Sequence, residues 1–145
     1  MKSLRRFLGL NRNEKRLWST ALLWVVAVRL ALWLLPFRLV HGLISRLMRN
    51  RQTARVTDPL NKVAWAVRSA SRYVPSATCL TQALATYLML GKCGQPVILY
   101  LGVFKTSTGS FKAHAWVESE GKVLVGYVEN FGNYVPMRLM YEKNR

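Results

Sequence analysis

The sequence predicts an α+β fold: N-terminal helices followed by a cysteine-bearing helix packed on an antiparallel sheet. Three observations carry this. The first half repeats apolar residues at helical spacing between arginines; one run from Thr78 or Cys79 to Leu90 reads as a single helix; and three short apolar runs after it are divided by turn residues. At 145 residues, 51% of them hydrophobic, the chain suffices for one core and is too apolar to be disordered. It shows no internal repeat or low-complexity segment.

The elements follow in order. Residues 1–16 are a basic leader, and residues 17–37 are almost wholly apolar, interrupted by Arg29 and ended by Pro36. That length can span a bilayer, but an arginine near the centre costs roughly 2.5 to 3.5 kcal/mol, and basic residues on both flanks set no orientation. Residues 37–48 continue as an amphipathic helix with Leu39, Leu43 and Leu47 on one side. Residues 14–49 therefore read as two helices joined at Pro36, lying on a membrane surface or packing on the second half or a partner. A polar linker over 50–59 divides a basic helical region (1–55) from a core (56–145).

A short helix comes next, with Asp58 as its cap, Pro59 in its first turn and Val63, Ala64, Val67 and Ala70 facing inward. It stops near Tyr73, because Pro75 disfavours helical geometry just before it. The following helix is closed by Gly91. Runs 96–104, 111–118 and 122–128, separated by KTSTGS and SEGK, form a three-stranded antiparallel meander.

Composition also bounds partners. The net charge of +16 lies mostly in residues 1–72, which hold 15 Lys/Arg against Glu14 and Asp58. Such a field attracts anionic lipid or acidic peptide. It does not point to nucleic acid, since the arginines adjoin a Leu-rich stretch instead of a groove with exposed aromatics. Two cysteines and two histidines lack zinc-binding spacing, so no metal or other cofactor is expected. With no cleavable signal peptide evident, the expected compartment is the cytoplasm, with association at the inner membrane face.

Cys79 and His114 are the candidate catalytic residues. Unpaired amides at a helix start carry partial positive charge, which favours a thiolate and can hold an oxyanion. His114 lies in Ala113-His114-Ala115-Trp116-Val117-Glu118, where alternation puts His114, Trp116 and Glu118 on one face and the small Ala113 and Ala115, with Val117, on the other. Small neighbours leave room for a facing helix end, so the imidazole can take the thiol proton and return it to a leaving amine. A free cysteine alone is more often a small buried hydrophobe, and the histidine context reverses that reading here. The group that would orient the imidazole is unassigned. A hairpin closing at Glu120 and Gly121 sets Gly126 or Tyr127 opposite His114, while Glu118, Glu129 and Asn130 are displaced along the strands; a backbone carbonyl or water can serve instead. His41 and Cys93 are given no role.

The stretch Ala77-Thr78-Cys79-Leu80-Thr81-Gln82-Ala83-Leu84, with Gly102-Val103, Ala113 to Glu118 and Gly121, resembles the leader peptidases of lasso-peptide biosynthesis, the peptidase part of the B protein, which are transglutaminase-like and papain-related. The resemblance covers roughly residues 60–137. It implies cysteine-dependent removal of the leader from a ribosomally made precursor, with Cys79 as nucleophile and His114 as base. It also implies two partners: an ATP-dependent lasso cyclase that uses the released core peptide, and a separate leader-recognition protein, because the family's winged-helix-like recognition element has no counterpart in this chain. Many members place an Asp where this chain has Gly126. Two other readings stand beside it: an acyltransferase using the same pair, and a non-catalytic scaffold binding a membrane or partner.

Overall fold

The structure is a computed structural model that describes residues 8–49 and 59–142. The predicted linker as far as Asp58, the predicted helix cap, lies outside these residues, and Pro59 stands just before the helix it was expected to open. Helix α1 (Arg12–Leu34) opens where the Asn11 N–H donates to Glu14 Oε2 at 3.1 Å. It ends before Pro36, and α2 (Phe37–Arg49) follows directly. Ala21, Val25 and Val28 recur on one side of α1 and are buried against α3 (Leu60–Ser71) and α4 (Cys79–Lys92). The helical region and the core region thus share one hydrophobic cluster, in which these residues meet Leu84 and Leu88.

Helix α2 is amphipathic as expected, yet of Leu39, Leu43 and Leu47 only Leu47 packs on the core. Val40, Ile44 and Met48 are buried, while Leu39 and Leu43 are exposed. The reason is a close approach at one end: the Met48 thioether occupies the space a Cβ at Gly91 would need. Gly91 does not close α4. The helix runs on to Lys92, and Gly94, at φ 72°, makes the left-handed turn. At the other end Thr78 caps α4, its hydroxyl accepting from the Thr81 N–H at 3.4 Å. Thr78→Ala should cost about 1 kcal/mol, read as a small fall in unfolding midpoint with the fold retained.

Strands β1 (Val97–Lys105), β2 (Phe111–Ser119), β3 (Lys122–Val125) and β4 (Val135–Glu142) form one antiparallel sheet in the order β3-β2-β1-β4. The predicted meander is there, and β4 is an addition to it. Pro136 argues against a strand in the sequence, but β4 pairs only with β1 and lies at the edge, where a missing N–H is tolerated. Glu120 (φ 51°) and Gly121 (φ 78°) make the two-residue hairpin turn. Val117 pairs with Val125 and Glu118 with Val123, so Leu124 is an extra residue in β3. That bulge shifts the register, and the strand ends at Val125 instead of reaching 128.

Alternation sorts the sheet into two faces. Val97, Leu99, Ala115 and Val117 join the cluster with α4 and α1 beneath the helices. Tyr100, Gly102, His114 and Trp116 occupy the other face, where the β3–β4 connection folds over them.

Candidate active site

Cys79 is the first residue of α4 and is half-buried, packing with Ala77 and Leu80 at the margin of the core. The last turn of α4 meets the start of β1: the Gln95 N–H donates to Leu90 O at 3.2 Å, and Gly91 abuts Val97. From there α4 runs back along the sheet for about 21 Å, the length of roughly six strand residues. Gln82 N–H to Thr78 O is the first helical bond, so the Cys79 and Leu80 N–H groups precede the ladder.

The Nε2 atom of His114 lies 2.6 Å from the carbonyl oxygen of Gly126. A carbonyl only accepts, so Nε2 carries the hydrogen and the neutral ring keeps its lone pair on Nδ1. The orienting group that the sequence left open is therefore a backbone carbonyl. Gly126 is held there for a steric reason as well. Its φ is 95°, and a Cβ would stand 2.5 Å from Ala115 O and 2.7 Å from Trp116 Cβ. A strand-ending glycine was the available signal, since glycine in a strand pattern marks close backbone approach, but it did not say which group would approach.

Aromatic rings fix the imidazole. Its centroid is 6.5 Å from Trp116 and 5.7 Å from Tyr134. Trp116 stacks on Tyr100 at 5.4 Å and meets Phe131 edge-on at 4.7 Å, and its Nε1–H donates to Glu118 Oε1 at 2.9 Å. Glu118 is thus committed to the indole, and Glu129 and Asn130 are exposed. Phe131 and Tyr134 went unnoticed in the sequence because they come from the β3–β4 connection, whose path depends on the unanticipated β4.

Gly102 pairs with His114, and a Cβ on it would stand 2.6 Å from the Trp116 ring and 2.9 Å from Tyr134 Cβ. Gly102→Ala should therefore displace the indole at a cost of about 1 to 3 kcal/mol, seen as a lower unfolding midpoint and a change in tryptophan fluorescence.

The structure brings His114 to Gly126. Cys79 borders the helix-covered face, whereas the imidazole belongs to the aromatic face, and no hydrogen bond joins them among the described residues. Cys93 Sγ–H donates to Met89 O at 2.7 Å within its own helix end. Among the described residues, no group of His, Cys, Asp or Glu side chains could hold a metal ion.

No match to the chain is found among curated proteins or among solved structures. Residues 22–139, by contrast, match the profile of the transglutaminase-like superfamily, whose members are typically cysteine-dependent enzymes. A match that begins inside α1 and ends in β4 takes in most of the fold, and by it the chain belongs to the transglutaminase-like superfamily.

Proposed function

We propose that this chain is a cysteine peptidase that removes the leader from a lasso-peptide precursor. The carrying observation is the 2.6 Å contact of His114 Nε2 with Gly126 O, which leaves Nδ1 as the ring's proton acceptor. The resemblance adds support of its own kind: Gly102, from a separate part of the sequence, forms one contact set with His114, Trp116 and Glu118 of the Ala113–Glu118 stretch.

In this reading the Cys79 sulfur attacks the scissile carbonyl carbon and His114 takes the thiol proton. The oxyanion rests on N–H groups at the start of α4. The amine of the core peptide leaves with the proton from the imidazolium, and water, activated by the same ring, hydrolyses the thioester to free the leader. The precursor is presented by a separate leader-recognition protein, and the core passes to an ATP-dependent cyclase. Incubating the purified chain with precursor and a leader-binding protein, then weighing the products, tests this. Free leader and core are expected; intact precursor would overturn the reading, and a joined product would assign acyl transfer instead.

One observation favours a non-catalytic scaffold: the imidazole is packed among rings on the face away from the helices. Iodoacetamide separates the two. Rapid alkylation of Cys79 at neutral pH is expected of the peptidase, and an inert thiol of the scaffold.

A further inference from the structure

The outer surface of the N-terminal helices takes no part in this chemistry. The second half of α1 turns Leu23, Val26, Leu30, Trp33 and Leu34 outward at three- and four-residue spacing, opposite the buried Ala21, Val25 and Val28. Leu35, Phe37, Leu39 and Leu43 carry exposed apolar surface through the Pro36 corner onto α2. Trp33 is 73% exposed, Leu34 69% and Leu39 56%. Surface leucines scattered singly need no explanation, but an unbroken ridge of this kind marks an interaction site.

The charge around the ridge has one sign. Between Glu14 and Asp58 the sequence has no acidic residue. Exposed Arg12 and Arg16 lie at the start of α1, and exposed Arg38, Arg46 and Arg49 lie along α2.

We infer that the Pro36 corner, with the outer faces of α1 and α2, docks flat on the anionic surface of a lipid bilayer. Apolar side chains enter the boundary between head groups and acyl chains, and the arginines meet anionic head groups. An apolar protein groove would accommodate the leucines but not select for a rim that is cationic throughout. Helix α1 is long and apolar enough to cross a membrane by length and composition. Crossing, however, would withdraw Ala21, Val25 and Val28 from the core cluster and carry Arg29 into hydrocarbon. This inference stands whether or not the peptidase reading holds.

Co-sedimentation of the full chain with vesicles tests it. Binding to an equal mixture of phosphatidylcholine and phosphatidylglycerol should be roughly tenfold or more stronger than to phosphatidylcholine alone, and should weaken as salt is raised. Trp33→Glu combined with Leu34→Glu should reduce it roughly tenfold with circular dichroism and melting unchanged, since both side chains are exposed. Arg38→Glu with Arg46→Glu should abolish the preference for phosphatidylglycerol. The inference is overturned if the wild-type chain stays in solution with anionic vesicles, if the Trp33/Leu34 variant binds equally, or if bound protein resists alkaline carbonate extraction as a spanning helix would.

Discussion

Cys79→Ala is expected to lower leader cleavage by about 10⁴-fold or more while leaving the fold and precursor binding intact. In the proposed mechanism the magnitude follows from the role: without the sulfur no acyl-enzyme forms, and only direct attack by water is left. Stability should change by only about 1 kcal/mol, because Cys79 is half-buried at the core margin and the cap at Thr78 does not depend on it. Rates measured by mass spectrometry under single-turnover conditions, alongside thermal unfolding, separate chemistry from folding. Wild-type cleavage by Cys79→Ala would discard the peptidase reading, whatever the state of His114.

Gly126→Asp should have the second-largest effect, in the direction opposite to that suggested by the resemblance. Placing there the carboxylate that the resemblance implies looks like a repair. Here the site has no room for it: φ is 95°, and a Cβ would press on Ala115 O and Trp116. A non-glycine residue in such a conformation costs about 1 to 3 kcal/mol before any overlap is counted, so a total loss of about 2 to 4 kcal/mol is expected. At about 4 °C per kcal/mol for a domain of this size, the unfolding midpoint should fall by about 8 to 16 °C. Cleavage should fall as well, because relief of the overlap moves the carbonyl that holds His114 Nε2. Gly126→Ala, which adds the strain without a carboxylate, should behave alike in stability. A Gly126→Asp protein that melts with the wild type and cleaves faster would show that the carbonyl is a stand-in of no consequence.

The residues differ in how plainly their neighbours announce them. Thr78 before an apolar run marks a helix start, and Glu120-Gly121 marks a two-residue turn, because both rest on φ preferences and hydrogen bonds within a few residues. The α+β class, the break at Pro36 and the inward face of α3 are legible for the same reason. Less local features escaped. The outward side of α2 depends on where Met48 finds Gly91, more than forty residues on. The strand β4 escaped because Pro136 is unfavourable in a strand unless the edge position is already known.

The sequence by itself determined the helices, the first three strands, and which sulfur and which imidazole are the chemical candidates, since periodicity, caps and turns are properties of adjacent residues. Only the tertiary structure decided what orients His114 and which sheet face it occupies. A single extra residue in β3 moves the register by one and buries both Leu124 and Val125; the pairing ends there, and the carbonyl of the next residue, Gly126, meets the ring.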